Sequence, residues 1–180
     1  DKRMRASVFL EVDDKNILID CGPDFRAQML FHDIDQIDAI LLTHKHIDHI
    51  GGIDDLRPLG NKKIYLDKQT EDAVKQMYGY CFAENPYPGV PSLSLERISY
   101  EPFKICDGTI EVIPIRVMHG KMEIMGYRIG NFAYITDVSS LSDDAEYEKL
   151  KGLEVVVLGC LRMTEHHSHQ KFQEAMEMAK

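Results

Sequence analysis

Thr43-His44-Lys45-His46-Ile47-Asp48-His49, followed after Ile50 by Gly51-Gly52, is the stretch of the 180-residue chain on which its reading turns. It comes directly after Ala39-Ile40-Leu41-Leu42. A continuous apolar run of that kind marks a strand buried on both faces, so the histidines and the aspartate occupy the turn at a strand's end. While the extended geometry lasts, the alternation of His44 and His46 directs two imidazoles the same way. Where the chain turns into a helix, Asp48 and His49 swing towards a second point. Imidazole and carboxylate together suit Zn²⁺, Mn²⁺ or Fe²⁺, and the glycines let the backbone turn tightly behind them. Ionisable side chains are seldom grouped beside a buried strand unless they are paired or metal-bound. The run is therefore read as a metal site.

Working outward, residues 6–13 and 16–20 read as a hairpin around Asp13-Asp14-Lys15-Asn16. Pro23 opens a helix reaching His32, with Asp24 favourable at its start. Beyond the motif, a short helix is expected over 53–59, a strand over 63–66 and a helix over 68–80. Residues 81–95 hold Pro86, Pro88, Gly89 and Pro91 and read as an irregular loop carrying Phe82 and Tyr87. Such a loop is either a binding loop or a solvated excursion. Strands follow at 99–103, 111–117, 124–129 and 132–136, then a helix at 145–150, a buried strand at 154–158 and an amphipathic helix at 170–179. This order gives one α/β domain over 1–180, an αβ/βα sandwich with helices on the outer faces of its sheets. The polar candidates follow strand ends, where α/β proteins keep their sites.

The net charge is −9 with histidine neutral. The nearest basic stretches are Asp1-Lys2-Arg3-Met4-Arg5 and Asn61-Lys62-Lys63, too sparse for a polyanion track. This counts against long nucleic acid as substrate. A small anion remains compatible, because bound cations outweigh the global charge locally. Apolar runs such as Val155-Val156-Val157-Leu158 are too short to span a bilayer, and no charged-then-apolar signal opens the chain. Cys21, Cys81, Cys106 and Cys160 are scattered and read as thiols, with Cys21 and Cys160 as small core residues. A cytoplasmic protein is expected.

The run from Thr43 to His49 with its two glycines resembles the signature of the metallo-β-lactamase superfamily. The resemblance extends to Ile19-Asp20-Cys21-Gly22, Met118-His119-Gly120, Tyr134-Ile135-Thr136-Asp137 and residues 158–179. Alone, His119 reads as a polar strand-end residue and Asp137 as a helix N-cap. The resemblance implies instead two divalent metal ions, Zn or Mn with Fe as a further option. His44, His46 and His119 would hold the first, Asp48 and His49 the second, and Asp137 would lie between them. It gives Asp20 a buried orienting role and Asp48 a catalytic one. It implies two mixed β-sheets flanked by helices, and hydrolysis by a metal-bound hydroxide.

The finer resemblance is to the PhnP-like phosphoribosyl cyclic phosphate phosphodiesterases, themselves similar to the tRNA 3′-processing endonucleases. It rests on Gly22-Pro23-Asp24-Phe25-Arg26, on Asp54-Asp55-Leu56-Arg57-Pro58, and on Gly159-Cys160-Leu161-Arg162 followed by His166-His167-Ser168-His169. His169 would be a catalytic histidine outside the metal set, a general acid or phosphate ligand; His166 and His167 read as structural or exposed. Arg26, Arg57 and Arg162 are candidates for a substrate phosphate, and equally readable as surface or pairing arginines. Relatives begin with a Gly-Thr-Gly-rich strand and a cysteine-rich segment, and continue to a Thr-His strand whose histidine completes the second metal site. Such N- and C-terminal elements are expected to lie outside this chain. The expectation is hydrolysis of a small, cyclic phosphate ester, with no membrane partner and a homodimer as superfamily relatives often form. The alternatives are a tRNA 3′ endonuclease, a thioester or lactam hydrolase, and a non-catalytic protein with an incomplete site.

Overall fold

The computed structural model describes residues 3–179. Asp1 and Lys2 of the N-terminal basic stretch, and Lys180 at the end of the expected domain, lie outside the described residues. The described residues divide into two compact units, the first ending at Ile98 and the second beginning at Ser99.

The strands of the first unit are β1 (Val8–Val12), β2 (Lys15–Ile19), β3 (Ala39–Leu41), β4 (Lys62–Leu66) and β5 (Leu93–Arg97), hydrogen-bonded in that order. β1 and β2 are antiparallel and the other pairs parallel. Asp13 and Asp14 alone make the hairpin turn, with φ of 48° and 59°. Positive φ at both positions matches the turn to the twist of its strands, and aspartate tolerates it. From β2 to β4 the apolar runs are fully buried, including Ile17, Leu18, Ile40, Leu41 and Ile64. α1 (Phe25–Phe31), α2 (Ile47–Ile50) and α3 (Lys68–Met77) lie on the connections. The helix expected over 53–59 is a 3-10 helix, Ile53–Leu59, containing Pro58, which has no N–H to donate. The helix expected to reach residue 80 ends at Met77, and a 3-10 turn follows at Gly79–Phe82.

Asp67 caps α3 by accepting from the Thr70 and Gln69 amides. On the same helix Glu71 is buried and accepts from Arg97 Nε at 2.6 Å and Lys75 Nζ at 2.5 Å. The two cations, Arg97 foremost, hold its carboxyl at about 2 instead of the ordinary 4.5. A depressed folded value stabilises fully above the unfolded one, and this is lost as pH falls from about 4.5 towards 2. Glu71→Gln should cost about 1–3 kcal/mol at neutral pH, a difference that fades on acidification. Urea unfolding at neutral and acid pH checks this.

The second unit has β6 (Phe103–Ile105), β7 (Ile110–His119), β8 (Met122–Ile129), β9 (Phe132–Ile135), β10 (Ser140–Leu141) and β11 (Val155–Leu158), with α4 (Asp144–Glu148) and α5 (Phe172–Met178). The order is β10-β7-β8-β9-β11, with β6 also on β7. β9 and β11 are parallel and the other pairs antiparallel. Ile115, Val117, Ile124, Ala133 and Ile135 form its core.

Four expectations are corrected. Residues 99–102 bend, with Ser99 Oγ accepting the Glu101 N–H, and pairing starts only at Phe103. The loop expected to run to residue 95 ends earlier, because Leu93 and Leu95 pack on the first unit's core and seat β5 on β4. The strand expected to be buried at 154–158 has Val155 and Val157 at 53% and 39% exposure, since among the described residues β11 pairs with β9 alone. Cys160, expected in the core, is exposed beyond that strand, whereas Cys21 is buried. Both sheets are mixed and both units carry helices, the α/β class that was expected.

Candidate functional site

In the first unit the polar residues are organised by Asp20, which follows β2 with its side chain fully buried and φ of 65°. Its Oδ1 accepts the Thr43 amide at 2.8 Å and the Thr43 hydroxyl at 2.9 Å. Its Oδ2 lies 2.7 Å from His49 Nδ1, which donates to it. Having given its proton to Asp20, the Thr43 hydroxyl accepts from His44 Nδ1 at 3.0 Å. One carboxylate thus sets the tautomer of two imidazoles. On both, Nδ1 carries the proton and Nε2 the lone pair that a metal requires.

His46 is the extended residue before α2, and Asp48 and His49 lie on that helix. His44 Nε2 and His46 Nδ1 stand 3.0 Å apart, and His49 Nε2 is 3.5 Å from Asp48 Oδ2. Two nitrogens bound tetrahedrally to one Zn²⁺ at about 2.0–2.1 Å would be separated by about 3.3 Å. The His44–His46 pair therefore fits two ligands of one ion.

The motif turn is held by backbone against the segment that follows β2. Cys21 N–H donates to the His49 carbonyl, and Gly52 N–H to the Cys21 carbonyl, each at 2.8 Å. A Cβ at Gly22 would stand 2.1 Å from the Asp48 oxygen, and one at Gly52 2.1 Å from the Gly22 oxygen. Gly52→Ala is expected to destabilise by at least about 1–3 kcal/mol and to lower metal content. Thermal unfolding and elemental analysis check this, and an unchanged Tm would mean that the crossing can open cheaply.

In the second unit His119 ends β7, buried, with Nδ1 donating to the Ser168 carbonyl at 2.8 Å. Its Nε2 lies 4.0 Å from Asp137 Oδ2. Asp137 follows β9 at φ of 48°. His169 places Nδ1 at 3.9 Å from Asp137 Oδ1 and its ring centroid 4.7 Å from that of His119. Burial pushes the His169 imidazole below its ordinary value, with the Asp137 carboxylate opposing the shift. His166 is half-buried and packs its ring 4.3 Å from that of the exposed His167.

The arginines have distinct settings. Arg26 and Arg57 line one cleft of the first unit, about 600 Å³, with Phe25, Met29 and Asp55. Arg57 is engaged by Asp54, which also accepts the Tyr80 hydroxyl. Arg162 donates to the carbonyls of Thr164 and Glu165 in its own loop. Thr43 and Ser168 make contacts with the histidines that the sequence alone does not assign. Thr43 was visible within the motif. Ser168 acts through a carbonyl that every residue has, so no side-chain signal marks it.

Residues 15–180 match the family model described as Beta-lactamase superfamily domain. The chain belongs to that superfamily, a group of hydrolytic, metal-dependent enzymes, and its fold is the metallo-β-lactamase fold. The crystal structure of a diphosphatase from the PhnP family is similar over 98% of this chain and 69% of that one, at 37% identity and a TM-score of 0.88. An octanoyltransferase of Porphyromonas gingivalis is 43% identical over 183 residues, 98% of this chain and 37% of that protein. An exodeoxyribonuclease of Bacillus anthracis is 29% identical over 145 residues, 76% of this chain and 51% of its own length. The chain thus spans between about a third and a half of these two curated relatives. Among the described residues, no helix is long and apolar enough to cross a membrane.

Proposed function

We propose that this chain is a metal-dependent phosphodiesterase for a small phosphate ester, cyclic esters included, with residues 1–180 working as one hydrolase domain. The observation that carries the reading is common to His44, His49 and His119. Each gives its Nδ1 proton to an oxygen fixed by the fold, so that Nε2 is the ligating nitrogen. The substrate class is supported by the likeness to the PhnP-family diphosphatase and by a net charge of −9 that disfavours a polynucleotide. The name octanoyltransferase belongs to a protein of which this chain spans 37%.

His44, His46 and His119 would hold one divalent ion, Zn²⁺ or Mn²⁺; Asp48 and His49 would hold a second, with Asp137 shared. Bound there, the ions would supply Lewis-acid polarisation of a phosphoryl oxygen and acidify a water. The chain's own part is orientation and proton transfer. Asp48, exposed at the motif, accepts a proton from the attacking water. His169 protonates the leaving oxygen. The water oxygen forms the new P–O bond, the ester P–O bond breaks, and the released oxygen leaves as a hydroxyl. Arg57 and Arg162 are engaged by Asp54 and by backbone carbonyls, so Arg26 is the arginine best suited to the substrate phosphate. A cytoplasmic location is proposed from the free, scattered thiols and a homodimer from the habit of superfamily relatives, tested by fractionation and light scattering.

Purified protein supplied with Mn²⁺ or Zn²⁺ should be assayed on a cyclic ribose phosphate, a generic aryl phosphodiester, a diphosphate ester, single-stranded DNA, a tRNA precursor and a glutathione thioester. Turnover of the cyclic and generic esters is expected, abolished by chelator and restored by metal. If these are untouched while another substrate turns over, the proposal fails. Substoichiometric metal in the active preparation would sink the two-ion arrangement.

A further inference from the structure

We infer that Gln170 is a positioning residue that fixes His169 against Asp137, an inference that rests on the roles just proposed for those two residues. Gln170 is only 2% exposed. Its backbone N–H donates to the Val138 carbonyl at 2.6 Å, and its side-chain Nε2 donates to the Gly159 carbonyl at 2.9 Å. Val138 directly follows Asp137. Gly159 presses on Asp137 from β11's end: its N–H donates to the Ile135 carbonyl at 2.7 Å, and a Cβ there would stand 2.8 Å from the Asp137 nitrogen.

Gln170 thus holds both backbone segments that frame Asp137. That aspartate keeps φ of 48°, in the left-handed region that aspartate tolerates and most other residues avoid. On the other side of His169, the Ser168 carbonyl holds His119 Nδ1 at 2.8 Å. His169 is therefore bracketed by a neighbour tied to His119 and a neighbour tied to the Asp137 frame. The bracket accounts for its 3.9 Å approach to Asp137 Oδ1. A group that delivers a proton must be held to within about 0.5 Å by supports of its own. A buried amide also costs free energy unless hydrogen-bonded, and the Gly159 carbonyl meets that requirement for Nε2 while tightening the frame.

Gln170→Met keeps the volume and removes the donor. The expected result is a folded protein whose kcat on the hydrolysed ester falls about 10–100-fold with little change in KM. Zn²⁺ affinity, read by chelator competition, should weaken about 10-fold because Asp137 and His119 both lose support. Gln170→Glu keeps the length but sets an oxygen against the Gly159 carbonyl, and should follow the same pattern. A lowered Tm with kcat and Zn²⁺ affinity unchanged in the two variants would overturn the inference and leave Gln170 a packing residue. If the unmutated protein turns over no ester, the phosphodiesterase reading fails, and the chelator competition still decides the positioning. Should neither variant fold, hydrogen exchange on the unmutated protein decides. The Gln170 amide is expected to exchange as slowly as those of Phe132–Ile135, and exchange at the rate of an open loop overturns the bracket.

Discussion

Asp20→Asn is expected to lower metal affinity about 10–100-fold and to cost about 1–3 kcal/mol of stability. The backbone is not the reason, because asparagine accepts the φ of 65° at that position and has nearly the same volume. The reason is the count of donors. Thr43 sends its amide and its hydroxyl to Asp20, and His49 sends Nδ1–H. An asparagine has one oxygen and one NH2, so in either orientation a buried donor meets a donor. His49 can escape by moving its proton to Nε2, which removes the lone pair that would hold the ion. Calorimetric Zn²⁺ titration beside thermal unfolding separates the two effects. Lower stability with undiminished metal would show that Asp20 supports the fold and not the ligand.

His169→Ala is expected to lower kcat by about 10²–10⁴-fold while metal content and Tm stay near those of the unmutated protein. The residue's polar approach to Asp137 is 3.9 Å, too long for a supporting hydrogen bond. The loss should depend on the leaving group. An alkyl alkoxide needs a proton as it departs, whereas p-nitrophenolate leaves without one. The variant should be crippled on a ribose ester and much less so on the aryl ester. An equal loss on both would remove the general-acid role, and loss of metal would make His169 a ligand instead.

The cluster from His44 to His49 could be read from the chain because a metal site would demand particular side chains at neighbouring positions. The strands β2 to β4 could be read because burial on both faces leaves an uninterrupted apolar run. β5 was hidden because Leu93 and Leu95 follow a proline-rich loop and alternate for only a few residues. The exposure of β11 was hidden for a different reason: Val155-Val156-Val157-Leu158 encodes a strand but not the number of its neighbours. Ser168 and Gln170 escaped because they act on backbone atoms far along the chain, and no spacing rule connects them to His119 or Gly159.

The shared protonation of His44, His49 and His119 bears on what could select a metal. With the Nδ1 proton of each ring given to an oxygen supplied by the fold, all three offer the same imidazole nitrogen, a ligand that suits zinc, copper, iron and nickel alike. Ligand type alone does not choose among these ions, so identity is left to the intrinsic affinity order of divalent metals and to what the surroundings have in supply.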